Sequence, residues 1–471
     1  MNFLLAMQDF REDLAKDWYG QTVLHPLGFS ATMLLGMLTL LVPRRFALLP
    51  MMTMACFVAP AQRVVIFGLD FNLLRVMTMF GWARILLRSE FKGFRWKTTD
   101  TVVVLWLFVG TVAYTIQTNG AGLTERAGWI MDAGGIYFYT RFVIRNWSDV
   151  RSTILGFAIL AIPCALVFLF ELATGRNMFS VFGGVPRMTS IRQGKLRAQG
   201  AFAHPILAGC FWASVMPMMI GLYLDEKRDR FWMVMGVIGS LIVIYACRSS
   251  TPVLALMSAG LGASCYFIRR WLGGVLIALA IVLTIMHFGM RGPVWSLLAK
   301  TDVFAGSTGY HRYALFDAFI NRSSEWWMFG TPSTAHWGWG LHDVTNHYVF
   351  VAIKGGLLTL VLFLAIITLS FRSVGNMLRR CDRVKKHTIL TWSIGVALFV
   401  HIMCFWSVSY FGQMILPWYI TLGLVASLAS VPDSKRRRVM KRRVRHGVVD
   451  APPDNQDATP VGPGLAHEAL A

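Results

Sequence analysis

Apolar runs recur along the chain at about 18 to 22 residues, the length a helix needs to cross a bilayer. They occupy approximately 24–42, 46–60, 66–87, 99–118, 127–144, 152–172, 203–224, 231–247, 250–268, 271–289, 345–370, 388–409 and 411–430. Polar connectors separate them. This alternation predicts an all-α integral membrane protein, a polytopic bundle of about 12 to 13 transmembrane helices filling one domain over residues 1–430. Two connectors are long, 173–202 and 290–344, and the second makes a large loop near the C-terminal end. The first two runs are short and flank Pro43, Arg44 and Arg45. The pattern therefore leaves open whether there are twelve spans or thirteen, and on which side the N-terminus lies.

The 471 residues are 55% hydrophobic, with a mean hydropathy of +0.54. Residues 1–20 are mostly polar and include Asp9, Arg11, Glu12, Asp13, Lys16 and Asp17, so no cleaved signal peptide is expected. A net charge of +21 raises the question of nucleic acid. The basic residues, however, sit in connectors 88–97, 145–151, 225–230, 269–270 and 372–386, and in KRRRVMKRRVRH at 435–446. Counting spans puts all of these on one side. Positive-inside bias then explains them without a nucleic-acid partner and makes the C-terminus cytoplasmic. Residues 431–471 are basic, Pro-rich and aperiodic, which predicts a disordered cytoplasmic tail. Six of the seven cysteines lie in or beside apolar runs and none has CxxC spacing, so neither a disulfide framework nor a zinc site is indicated.

The two long connectors fall on the opposite face. Connector 173–202 carries Arg176, Arg187, Arg192, Lys195 and Arg197 and no acidic residue. Arg197 there predicts an anion site, because a guanidinium fork binds phosphate oxygens in pairs. Lipid headgroups, or acidic partners elsewhere in the fold, are the plainer account of these charges. In 290–344, Tyr313, Phe316, Phe319 and Ile320 follow Arg312 at helical spacing, which predicts an amphipathic interfacial helix. Trp326, Trp327, Trp337 and Trp339 read as a headgroup-level aromatic belt, with sugar stacking as the alternative. The stretch LHDVTNH, 341–347, then leads into the next run, where Asp343, Thr345 or Asn346 can cap the helix. Helix N-termini favour anions, and Arg197 and Arg312 converging there would suit a diphosphate. His347 or His342 is a candidate general base for a sugar hydroxyl, against the simpler reading of a capped helix with interfacial histidines. Arg248, in CRSSTP at 247–252, lies between two spans on the same face and is costly there unless paired or occupied by substrate. Asp132, Arg141 and Glu171 fall in or near spans and are expected to pair with one another or to sit in polar ends of the bundle.

Three stretches resemble the O-antigen ligase and polymerase superfamily of bacterial envelope glycan assembly. They are LRAQGAFAHPILAG (196–209), HRYALFDAFI through WWMFGTPSTAHWGWG (311–340), and TNHYVFVAIKGGLLTLVLFL (345–364). The resemblance implies a membrane glycosyltransferase of the bacterial inner membrane, working at the periplasmic face without metal, nucleotide or other cofactor. Its donor would be a polyprenyl diphosphate-linked oligosaccharide and its acceptor a glycan or lipid, with a chain-length regulator or flippase as further partners. It also implies that Arg197 and Arg312 contact the diphosphate and that the His-Asn motif activates the acceptor. The sequence departs from the family in one respect. Asn346 falls on the family's Asn, but Thr345 stands in the histidine's place and a histidine appears at 347, so His342 and Asp343 stay candidates for the base beside His347. The other reading is a transporter of a small anion such as bicarbonate, or of a lipid-linked precursor. A transporter should show interrupted helices and midplane ionisable residues, whereas the polar residues gather at the outer face and favour the enzyme.

Overall fold

The computed structural model describes residues 22–59, 62–182, 184–290, 292–300 and 308–430. The polar stretch 1–20 and the expected tail 431–471 lie outside the described residues. In chain order the elements are α1 (Pro26–Leu41), α2 (Leu49–Phe57), β1 (Arg63–Ile66), β2 (Leu69–Asn72), α3 (Leu73–Leu87), α4 (Thr98–Gln117), α5 (Leu123–Ile130), α6 (Ile136–Val143) and α7 (Trp147–Thr174). There follow β3 (Ser190–Arg192), β4 (Lys195–Arg197), α8 (Pro205–Asp225), α9 (Arg230–Ala246), α10 (Ser250–Ser264), α11 (Leu272–Gly289), α12 (Thr308–Asn321) and α13 (Ser323–Trp326). The last are α14 (His347–Val384), α15 (Thr388–Phe405) and α16 (Ile415–Leu428). Among the described residues, 6 helices are long and apolar enough to cross a membrane: α4, α7, α8, α11, α14 and α15. Helices α1, α9 and α16 are apolar but shorter. Among the described residues the strands form two antiparallel hairpins, one setting Arg63 opposite Asn72 and the other Ser190 opposite Arg197, with isolated bridges at Val23–Arg63 and Arg176–Met188.

Helix α8 is buried on nearly every side, with α7, α9, α10 and α15 packed around it. Small residues set a close approach between α7 and α9. A Cβ on Gly236 would lie 2.6 Å from the Ala158 Cα, and one on Gly239 would lie 2.7 Å from the Ala161 carbonyl oxygen. Where lipid is as apolar as the side chains, such backbone contact supplies the attraction that hydrophobicity does not. At the other extreme α11 buries none of its residues, in keeping with a sequence that is apolar all round.

The basic connectors meet at one end of the bundle. Arg44 pairs with Asp149 at 3.2 Å, Arg145 donates to the Glu90 carbonyl, and Arg151 pairs with both Asp229 and Glu226. His387 contacts Asp225 and stacks on Trp147, and Arg269 reaches Asp382. The turn at 43–45, whose side the sequence leaves open, therefore belongs to the same end. Just inside it the guanidinium of Arg84 is fully buried, held by Glu90 and by the carbonyls of Thr39 and Val42 at the end of α1.

Several sequence expectations change. Asp132, Arg141 and Glu171 do not pair with one another. Asp132 holds Arg75 through two bonds of 3.0 and 2.7 Å, Arg141 grips Asp100 through two of 2.8 Å, and Glu171 accepts from the Gly200 and Gln199 amides and the Thr189 hydroxyl. The run 127–144 is interrupted by a π-turn at Met131–Gly135. The connector 372–386 is helical as far as Val384. Trp326 and Trp337 form neither an exposed belt nor a stacking surface: with Leu315, Phe319, Leu341, Val349 and Ile353 they build a small core between α12 and the start of α14. Trp327 and Trp339 stay exposed.

Candidate functional site

Helix α14 is two helices. Gly356, at φ 75° and ψ −177°, breaks it into a short arm, 347–355, and a long arm, 357–384. The rings of His347 and Phe363 lie 5.5 Å apart. On a straight helix sixteen residues would separate them by about 24 Å. The arms therefore fold back on each other, and His347 sits at the level of Phe363, about 10 Å of helix below the break. A backbone clasp secures the reversal: the Thr331 amide donates to the Ile353 carbonyl and the Leu357 amide to the Trp327 carbonyl, each at 2.8 Å. The short arm's terminal carbonyls would otherwise be orphaned. The Ile353 carbonyl accepts from Gln117 Nε2 at 2.9 Å, and the Lys354 carbonyl from the Arg126 guanidinium at 2.6 Å.

At the buried start of the short arm, the Asn346 side-chain oxygen accepts from the Tyr348 and Val349 amides, at 2.9 and 3.2 Å. Of the three cap candidates it is Asn346 that caps, and its carbonyl oxygen is committed to that task. The His347 ring is buried, stacked on Phe405 with centroids 4.7 Å apart, and its Nδ1 accepts from the Tyr410 amide at 3.2 Å. A neutral imidazole whose Nδ1 accepts carries its proton on Nε2. With this bond in place His347 is therefore a hydrogen-bond donor and not a base. His342 and Asp343 are exposed in the turn leading to the short arm, where the Asp343 carbonyl lies 3.1 Å from His311 Nε2.

His347 lines a partly open cavity of about 300 Å³ between the start of α3, α4, α5, both arms of α14 and the start of α16. Its walls include Trp106, Trp129, Phe350 and Trp418, and its charged groups are Arg75, Arg126, Lys354, Glu125 and Asp132. Arg75 is engaged by Asp132. Lys354 lies 3.1 Å from the Tyr114 hydroxyl and 3.8 Å from Glu125, which itself accepts from that hydroxyl at 2.6 Å. Sequence reasoning passed over Arg75, Arg126 and Lys354. The available signal was ionisable residues inside or beside predicted spans: Arg75 within 66–87, Arg126 just before 127–144 and Lys354 within 345–370.

Of the three arginines singled out in the sequence, the structure brings two to one turn. Arg197 Nε donates to the Cys247 carbonyl at 3.3 Å, and Arg312 to the Thr251 hydroxyl at 3.2 Å. Arg197 is buried because β4 runs into the loop that Glu171 anchors from α7. Arg248, between those two contacts, instead turns outward with φ 44° and lies over the Tyr245 ring, 3.9 Å from its centroid. The outer loop is further pinned by Glu325, whose exposed carboxylate accepts from Trp337 at 2.8 Å, His336 at 2.7 Å and Arg322 at 3.1 Å. No family model matches this chain, and no curated protein is significantly similar to it.

Proposed function

We propose that this protein is a membrane glycosyltransferase that moves a glycan from a polyprenyl diphosphate carrier to a saccharide or lipid acceptor, as an O-antigen or exopolysaccharide polymerase or ligase. The observation that carries the reading is the meeting of Arg197 and Arg312 on the 247–251 turn. Two guanidinium groups from distant parts of the chain suit a diphosphate, whose charge grows as it departs. In the transfer the acceptor hydroxyl oxygen bonds to the donor's anomeric carbon, the bond from that carbon to the diphosphate breaks, and configuration inverts. The carrier diphosphate leaves against the arginines. The hydroxyl proton goes to Asp343 or His342 at the exposed entry, while His347 donates a hydrogen bond from Nε2 and Asn346 holds the arm. The basic end faces the cytoplasm on this reading, and the arginine turn faces the periplasm of a bacterial inner membrane.

Small-anion transport is the second reading, favoured by the helix interruption at Gly356 beside buried charges, a feature of transporter sites. Lipid extracts from cells lacking the gene separate the two. The enzyme predicts a polyprenyl diphosphate carrying a single repeat unit for a polymerase, or long lipid-linked chains for a ligase. Wild-type protein clears them, and Arg197→Ala and Arg312→Ala, inserted normally, do not. No lipid-linked saccharide in any strain would transfer the case to transport, and full activity in both variants would sink the assignment of the arginines.

A further inference from the structure

Arg126 is the charge in the cavity that the protein does not balance. It is 7% exposed and forms no ion pair among the described residues. One Nη donates to the Lys354 carbonyl, the guanidinium lies over the rings of Tyr114 and Trp129 at 4.1 and 4.7 Å, and Nε is buried with no hydrogen-bond partner. Arg75 has Asp132, and exposed Glu125, 3.8 Å from Lys354, acts on Arg126 as well, so the three cations of the lining face two acids and one positive charge is in excess. A buried guanidinium without a counter-ion of its own is expensive, so an arrangement that keeps one beside a cavity is suited to an anion that enters it.

The walls narrow the class. Trp106, Trp129, Phe350 and Trp418 offer ring faces of the kind on which a pyranose stacks, and about 300 Å³ is room for one or two sugar rings but not for a polyprenyl chain. One unmatched positive charge suits a single negative one, where a diphosphate would leave excess charge buried. We infer that the Arg126 cavity binds a carboxylated saccharide unit, its carboxylate on the Arg126 guanidinium and its ring against the tryptophans. Resting on the proposed glycosyltransferase reading, this makes the transferred or accepting glycan acidic and places one of its uronate-type residues within reach of His347.

The test is binding, so it does not depend on transfer being observed. Purified full-length protein in nanodiscs is titrated with D-glucuronate, D-glucose, inorganic phosphate and bicarbonate, read by tryptophan fluorescence and calorimetry. The expected result is saturable binding of glucuronate above glucose, phosphate and bicarbonate. It should weaken about 10-fold to 100-fold in Arg126→Gln and less in Arg126→Lys, as befits loss of a charge-assisted bond, with Asp382→Asn, at the basic end, unchanged. Size-exclusion profiles confirm that each variant is folded, and should Arg126→Gln fail to fold, Arg126→Lys alone decides. Equal binding of glucose, tighter binding of phosphate or bicarbonate, or wild-type affinity in a folded Arg126 variant would overturn the inference. If glucuronate binds as expected while lipid extracts show no saccharide intermediate, the glycosyltransferase reading fails and the acidic-saccharide site stands.

Discussion

Asn346 and Glu325 show how single side chains hold this site in place. Asn346 satisfies two of the amides that the buried start of the short arm leaves open. Asn346→Ala should cost about 1 kcal/mol and Asn346→Asp much less, seen as a lower melting temperature in detergent for the alanine variant alone. Equal melting would mean that the cap contributes nothing. Glu325 works by charge: the indole N–H of Trp337, then His336 and Arg322, hold its carboxyl down at about 2. A carboxyl lowered on folding stabilises the loop at pH values above its ordinary range and loses that effect as pH falls through the lowered value. Amide protection in 322–337, measured as exchange relative to the unstructured chain at the same pH, should therefore be high at about pH 5 and fall towards about pH 2, with Glu325→Gln removing the difference. Unchanged protection across that range would refute this role. Neither contact was legible in sequence beyond the cap candidates, because Glu325 and Trp337 meet only through the fold of the loop.

The decisive element is the reversal in α14. Gly356 has a conformation essentially reserved for glycine, and a Cβ there would sit 2.3 Å from the Met328 carbonyl oxygen, while one on Gly330 would sit 2.1 Å from that of Ile353. Gly356→Ala should cost about 1–3 kcal/mol in backbone strain alone, before the clash, and should loosen the clasp that places His347. Gly375, in the helical part of the long arm with nothing within 4 Å, is the control. Gly375→Ala should be neutral or stabilising by up to about 1 kcal/mol. Thermal unfolding and lipid-intermediate clearance together check both, and a Gly356→Ala protein as stable and active as wild type would rule out a required reversal. The apolar run at 345–370 announced a helix. Its break was hidden, because a Gly-Gly pair inside such a run is common in membrane helices and only the contact with Trp327–Thr331 turns one into a hairpin.

Across the whole molecule, ion pairs collect the basic connectors at one end, and the arginine turn, the outer loop and the break at Gly356 lie at the other. Cysteines introduced at Lys92 and Lys227 should react with an impermeant maleimide from one side of a sealed vesicle, and those at Ile191 and Trp339 from the other. Mixed labelling within either pair would contradict that arrangement. Buried pairs support the basic end: Asp100→Asn strands Arg141 and should cost about 3–5 kcal/mol in thermal unfolding, far more than Asp382→Asn at a half-exposed pair. The sequence by itself determined the class of molecule, a helical bundle with membrane-length apolar segments, because hydropathy and charge bias are local quantities summed along the chain. It also singled out Arg197, a cation in an acid-free outer connector, and Arg312, which stands ahead of an apolar stripe at helical spacing. Only the tertiary structure decided that these two share one turn, that His347 has its Nδ1 occupied, and that Arg126 stands unbalanced beside a cavity. Each of those depends on which groups from distant segments come within a few ångströms, and no periodicity along the chain records such distances.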